Sequence, residues 1–364
     1  MYIKQAFKIE NDWWLYIVGF LIVVVGIVLG QIPLTIAIVM ESLGNDSVAA
    51  IDDPYELMGI LDSNLNLFLM LLTYVGGLVA LFFTVKVIHK QSLVSLTTSR
   101  EKIDWSRFWF AFIFWGAITI GFIGVEYFSN PENYEFNFQL VPFLILVLIA
   151  VLLIPLQTSF EEYLFRGYWM QGLGILAKNR WVPLVLTSVI FGAMHLANPE
   201  IEKLGYILLV HYIGTGFLLG IMTLMDEGLE LALGFHAANN LVASLLITAD
   251  WTAFQTNSIF KDISDPTTAG LEVFIPVFIV YPIVLFVFSK KYNWKNWKEK
   301  LFGNIGKRTI QDDINCGWLL SFISPVLSAY FSIKLIRKKN NQGWYIIIFG
   351  LVLNIIYGLI FSIF

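Results

Sequence analysis

The amino-acid sequence predicts an all-α protein, a polytopic bundle of transmembrane helices. Hydrophobic residues make up 57% of its 364 residues, and charged residues make up 14%, well below the ~25% of a typical soluble domain. Many apolar runs also reach the roughly 20 residues that a helix needs to cross a bilayer. We therefore expect an integral membrane protein whose first partner is the lipid bilayer.

The apolar segments predict about eight core spans. The first segment is long for the apolar core of a signal peptide and no cleavage pattern follows it, so it should be retained as a span. Two further segments, at 318–336 and 344–364, follow a lysine-rich stretch and should form an appendage. The core segments lie at 14–40, 65–88, 108–128, 140–157, 181–197, 206–225, 231–248 and 271–289.

These segments divide the chain into four parts. Residues 1–139 carry the N-terminal transmembrane spans, and residues 140–289 form a helical core that holds most of the intramembrane polar residues. Residues 290–315 are a basic cytoplasmic linker, and residues 316–364 are a C-terminal hydrophobic hairpin or a pair of extra spans.

Loop charge predicts the orientation, because short cytoplasmic loops collect Lys and Arg. The loop 86–107 is basic and the loops on either side of it are acidic, which indicates a cytoplasmic N-terminus. The appendage does not follow this count, since a ninth span would carry the basic run Arg337, Lys338 and Lys339 outside. Pro325 interrupts the first appendage segment, so a re-entrant or interfacial helix is the alternative.

Composition excludes two classes of function. Cys316 is the single cysteine, which leaves neither a disulfide within the chain nor a cysteine metal cluster. The net charge is −4, and no basic stripe lies outside the loops that flank spans, so we expect no nucleic-acid partner.

The polar cluster EEYLFR interrupts the fourth apolar helix, near the predicted cytoplasmic end of its span. Ionisable groups at membrane depth are costly, about 2.5–3.5 kcal/mol each on insertion scales, and usually mark a functional site. Residues four apart lie on one face of a helix, so Glu162 can pair with Arg166 while Glu161 points elsewhere. Glu161 is therefore the candidate general base. A purely structural clasp between Glu162 and Arg166 is the alternative.

Two later segments carry further polar groups. His195 ends the apolar run FGAMH, and His236 and Asn240 share one helical face in HAANN. Glu161, His195, His236 and Asn240 on three converging helices would make a hydrolytic site. Alternatively, a single histidine or asparagine can have only a structural role, as a hydrogen-bond partner of a neighbouring helix. The acidic residues Asp226, Glu227 and Glu230 lie in a short turn and are expected to face solvent.

The three motifs EExxxR, FxxxH and HxxxN occur here in order, as Glu161–Arg166, Phe191–His195 and His236–Asn240. In this pattern the chain resembles the CPBP family of intramembrane proteases, which includes CAAX prenyl endopeptidases and the bacterial lysostaphin resistance protein A-like proteins. The resemblance covers about 140–248, so the core 140–289 is interpreted as a CPBP-like catalytic core. The resemblance implies an enzyme of the bacterial plasma membrane.

The resemblance implies a role for each matched residue. Glu161, assisted by His195, would activate the attacking water, and His236 with Asn240 would stabilise the oxyanion. Glu162 and Arg166 would support the site. The implied activity is an intramembrane endopeptidase that cleaves a membrane-associated or lipidated peptide or protein.

The resemblance leaves the use of a metal open. Zinc accepts Glu and His ligands, so Glu161, His195 and His236 would hold zinc or another divalent metal if one is used. We favour the metallo-endopeptidase interpretation, with a metal-free mechanism as its alternative. Outside enzymes, the alternatives are a membrane immunity or scaffold protein and a small-solute transporter. A transporter would be expected to show inverted repeats, and none is evident in the sequence.

Overall fold

The structure is a computed structural model that describes residues 1–44, 59–266 and 273–361. These residues are 78% helical, which confirms the predicted all-α class. Five helical runs in them are long and apolar enough to cross a membrane, and each corresponds to one predicted span, the fifth beginning two residues later than predicted. The runs are Trp13–Gly44, Ser63–Ile88, Trp105–Ser129, Leu140–Ala177 and Leu208–Asp226.

The α-helices are labelled in chain order. The first half of the chain contains α1 (Trp13–Gly44), α2 (Ser63–Phe83), α3 (Leu93–Thr97), α4 (Trp105–Ser129), α5 (Leu140–Glu162), α6 (Met170–Ala177) and α7 (Trp181–Ala193). The second half contains α8 (Pro199–Leu204), α9 (Leu208–Asp226), α10 (Glu230–Leu246), α11 (Tyr281–Lys291), α12 (Trp297–Phe302), α13 (Ile310–Ile323), α14 (Pro325–Arg337) and α15 (Gln342–Phe361).

The remaining predicted core spans correspond to shorter helices. Span 181–197 is α7 with its 3₁₀ continuation Met194–Ala197, and span 231–248 is α10. Span 271–289 lies partly outside the described residues, and its described part comprises the π-helix Pro276–Val280 and α11.

A small β-sheet joins three loops of the bundle. It consists of β1 (Tyr134–Phe136), β2 (Ile247–Thr248) and β3 (Phe260–Asp262) in the order β1-β3-β2. β1 pairs antiparallel with β3, and β2 pairs parallel with it. Because β2 directly follows α10, the sheet ties that helix to the loop before α5.

The fourth span is not a simple helix. After α5 the chain continues through the π-helix Tyr163–Trp169 into α6, and the whole run has 38 residues. π-Helical turns within α-helices often occur at functional sites. Glu161 and Glu162 end α5 and Arg166 lies in the π-helix, so the polar cluster lies inside this run rather than at its end.

Backbone contact brings α10 against α4. A Cβ atom on Gly234 would lie 2.1 Å from the carbonyl oxygen of Phe108, so only glycine permits this approach. The buried ring of Trp115 on α4 stacks on Phe235 of α10 with ring centroids 4.2 Å apart. This packing fixes the face of α10 that carries His236.

A buried network of ion pairs surrounds the turn between α9 and α10. Arg100 contacts Asp226 at 2.8 Å and Glu230 at 3.2 Å, and Arg107 contacts Asp226 at 2.5 Å. The side chains of Asp226 and Glu230 are only 2% and 0% exposed. The prediction that these residues face solvent is wrong, because arginines from a distant loop and from α4 cover them.

The appendage begins with a helical hairpin. The backbone is extended at Ser324, so α13 ends there and α14 starts at Pro325, as the proline predicted. Lys334 and Lys338, near the end of α14, contact Asp313 at the start of α13 at 2.9 and 3.6 Å. Helices of 14 and 13 residues rise only about 20 Å, less than the ~30 Å hydrocarbon core. The end of the hairpin therefore lies beside its start.

Candidate active site

The two adjacent glutamates have different surroundings. Arg166 donates from Nη1 to Oε1 of Glu162 at 2.8 Å, and both side chains are fully buried. The Arg166 guanidinium also donates to the carbonyl of Gly216 at 3.2 Å and lies 4.3 Å from the ring centroid of Phe191. The predicted Glu162–Arg166 pair is thus present, and Glu161 remains available for another partner.

His236 lies between the two carboxylates. Its Nδ1 is 2.8 Å from Oε1 of Glu162, and its Nε2 is 3.6 Å from Oε2 of Glu161. A carboxylate accepts hydrogen bonds, so the short contact to Glu162 places a proton on Nδ1. In the tautomer that carries its proton on Nδ1, the imidazole presents Nε2 to Glu161 as a second acceptor.

Gln157 connects Glu161 to Asn240. Its Nε2 donates to Oε1 of Glu161 at 2.6 Å, and its Oε1 accepts from Nδ2 of Asn240 at 3.1 Å. Asn239 donates to Oδ1 of Asn240 at 3.1 Å and accepts from the indole of Trp115 at 3.0 Å. This amide chain orients both Glu161 and Asn240, and among the described residues one N–H of Asn240 has no acceptor.

Sequence reasoning missed Gln157, although a local signal pointed to it. Gln157 lies four residues before Glu161 on α5 and is the first polar residue after the apolar stretch that begins at Leu140. Its buried side chain is hydrogen-bonded at both ends of the amide. Gln157 is the last residue of the predicted span 140–157, and the structure shows that it also belongs to the site.

His195 lies beside this group but does not join it directly. Its Nδ1 is 2.8 Å from the carbonyl of Phe191, and its ring stacks on Tyr212 with centroids 4.0 Å apart. The ring of Phe191 separates the two imidazoles, with centroids 4.9 Å from His195 and 6.0 Å from His236. Among the described residues, His195 makes no hydrogen bond to Glu161.

The predicted metal ligands do not converge. Within 1–44, 59–266 and 273–361, no three His, Cys, Asp or Glu side chains are grouped closely enough to hold a metal ion. His236 directs both ring nitrogens to carboxylates, and His195 is stacked on Tyr212. This arrangement does not fit a three-ligand catalytic metal site. Metal dependence stays a prediction.

Comparison with known proteins identifies the family. Residues 139–242 match the family model described as type II CAAX prenyl endopeptidase Rce1-like. The chain is also 31% identical over 258 residues to the uncharacterized protein YyaK of Bacillus subtilis (strain 168), an alignment that covers 70% of this chain and 82% of YyaK. The chain belongs to the CPBP family. No solved structure is significantly similar to it.

The matched range of this CPBP protein contains all six predicted site residues and Gln157. Membership in the CPBP family indicates the general activity, which at family level is that of a CAAX-type intramembrane protease. The long apolar helices agree with an integral membrane protein, and the Bacillus relative indicates a bacterial origin.

Proposed function

We propose that this CPBP protein is an endopeptidase that cleaves a membrane-associated or lipidated peptide with a water activated at Glu161. The observation that carries the proposal is the 3.6 Å separation between Nε2 of His236 and Oε2 of Glu161. Two acceptors at that separation are too far apart for a direct hydrogen bond but can share one water between them. A water that donates to both keeps a lone pair free for attack.

The reaction then follows from the partners of each group. The water oxygen attacks the peptide carbonyl carbon while Glu161 takes its proton, and the carbonyl oxygen becomes an oxyanion. The second N–H of Asn240 is the proposed donor to that oxyanion. Glu161 next returns the proton to the amide nitrogen as the C–N bond breaks. Glu162 has a supporting role in this scheme, since Arg166 and His236 hold it.

His236 and His195 have narrower proposed roles than the family resemblance implied. Both nitrogens of His236 are directed to carboxylates, which suits orientation of the water better than donation to the oxyanion. The carbonyl of Phe191 accepts a hydrogen bond from Nδ1 of His195, which leaves Nε2 of His195 for another partner. We propose that this nitrogen contacts the bound substrate.

The test uses purified protein in proteoliposomes with a fluorogenic peptide that ends in a CAAX-type sequence, in prenylated and unprenylated forms. Glu161→Gln keeps the shape of the side chain and removes the base, so kcat should fall by roughly 10²–10⁴. Glu101→Gln, at an exposed loop position, is the matched control and should stay near wild type. Equal activity of Glu161→Gln and wild type would refute the assignment.

The two peptide forms separate substrate class from reaction. Cleavage of the prenylated form alone would support a lipidated substrate. Equal cleavage of both would remove the prenyl requirement and leave the proposed chemistry in place. If neither form nor other membrane peptides were cleaved, the immunity or scaffold alternative would replace the enzyme.

A further inference from the structure

The C-terminal hairpin, formed by α13 and α14, is fixed to the core by polar contacts at its base. Lys178 at the end of α6 pairs with Asp312 at 3.1 Å. Arg308 donates to the carbonyl of Ala177 at 3.0 Å and pairs with Asp313 at 2.7 Å. These contacts hold the start of α13 beside the end of α6.

An apolar groove of about 400 Å³ lies between the hairpin and the core. Trp13 and Phe20 of α1 form part of one wall, and Leu319 and Phe322 of α13 form part of the other. The volume falls in the range of ~300–1,000 Å³ that is usual for small-molecule sites. Because α1 is one of the five long apolar helices, this wall lies where membrane lipid has access.

A basic cavity adjoins the groove at its polar end. Lys178 lines both spaces, and the cavity of about 810 Å³ is also lined by Lys307 and Arg308. Lys178 and Arg308 already have carboxylate partners. Lys307 is exposed and forms no ion pair within the part of the chain that the structure describes. Lys307 can therefore bind an anionic ligand without first losing an ion pair.

The base of the hairpin carries excess positive charge. Lys334 and Lys338 converge on Asp313 in addition to Arg308. Lysines and arginines thus outnumber the two carboxylates Asp312 and Asp313 in this region. A basic cavity that opens onto an apolar groove between helices matches an ion with a hydrocarbon tail, and such pockets bind anionic lipid head groups.

We propose that an anionic phospholipid occupies this place, with one acyl chain in the groove and its phosphate against Lys307, Lys178 and Arg308. The lipid would bridge the hairpin and α6, so it would stabilise the docked hairpin. The proposal does not depend on the proposed reaction, because none of these residues belongs to the candidate active site.

The test measures the thermal unfolding midpoint of the full-length protein in neutral-detergent micelles that contain increasing mole fractions of phosphatidylglycerol. Phosphatidylcholine and inorganic phosphate are titrated in parallel. Only phosphatidylglycerol should raise the midpoint of the wild type in a saturable way. Lys307→Gln should raise the half-saturating fraction about five-fold, as expected for one lost basic contact near a membrane surface.

Two further variants locate the effect. Lys298→Gln removes an exposed charge of the same linker away from the cavity and should behave as wild type. Leu319→Trp adds bulk in the groove and should abolish saturation by the lipid. If Leu319→Trp fails to fold, the comparison of Lys307→Gln with Lys298→Gln still shows whether the basic cavity binds the lipid.

Three outcomes would overturn the assignment. An equal response to both lipids would show acyl binding without charge selectivity. An equal response to inorganic phosphate would show an anion site that needs no lipid. An unchanged phosphatidylglycerol response in Lys307→Gln would show that the cavity is not involved.

Discussion

Removal of Arg166 tests how the core of the site is held together. Arg166→Met keeps much of the side-chain volume but leaves the carboxylate of Glu162 fully buried, and within the described part of the chain His236 is then its one remaining partner. The variant loses the 2.8 Å ion pair, the hydrogen bond to Gly216 and the cation–π contact with Phe191. Breaking a buried pair from one side costs about 3–5 kcal/mol of stability.

The assay is equilibrium unfolding in mixed micelles, followed by tryptophan fluorescence. The double variant Glu162→Gln/Arg166→Met also removes the uncompensated carboxylate, so it should be about 1–3 kcal/mol more stable than Arg166→Met. Lys298→Met, at an exposed linker position, should change stability by less than about 0.5 kcal/mol. A loss below about 1 kcal/mol for Arg166→Met, or a double variant less stable than the single one, would refute the reasoning.

Three other predictions concern the site and its surroundings. Gln157→Ala should lower kcat roughly 10- to 100-fold with little change in KM, because Glu161 and Asn240 lose the amide that orients them. Exhaustive chelation, with metal content measured on the same sample, should leave cleavage unchanged, since the candidate ligands do not converge. Burial alone would raise the pKa of Glu227, but hydrogen bonds from Lys300 and the backbone of Tyr2 outweigh it and hold this pKa below its usual range. The stability that Glu227 contributes is therefore present above its ordinary pKa of about 4.3 and is lost as pH falls through the lower folded value.

Each of these predictions has a contradicting result. A Gln157→Ala variant with wild-type kcat would show that Glu161 is oriented by other groups. Activity that disappears on chelation and returns with zinc would restore the metallo-endopeptidase interpretation and require Glu161, His195 and His236 to rearrange. For Glu227, the difference in unfolding midpoint between wild type and Glu227→Gln should shrink only below about pH 4, and a difference that is constant from pH 7 to 3 would contradict the linkage.

Local spacing predicted the contacts that lie within one helix. The Glu162–Arg166 pair follows from residues four apart on one face, and the break at Ser324 follows from the proline after it. The same spacing also connects Gln157 to Glu161, but only the contact with Asn240 of α10 reveals what Gln157 does. Its role could not be read from α5 alone.

Contacts between distant segments were predicted poorly. The turn between α9 and α10 looked like a solvent-exposed loop, yet Arg100 and Arg107 bury Asp226 and Glu230 there. His195 and His236 were expected to meet Glu161 together. The structure brings only His236 to Glu161 and leaves His195 stacked on Tyr212 beyond the ring of Phe191.

The sequence by itself determined that this is an all-α membrane protein, that its polar motifs lie on apolar helices and that Glu162 pairs with Arg166. These features depend on composition and on the helical period, which act over a few residues. Only the tertiary structure decided that His236 lies between the two glutamates and that the C-terminal hairpin returns to its own base. Spans that are apolar on every side show no face that must pack inward, so their partners are set by close contacts such as that of Gly234 with Phe108.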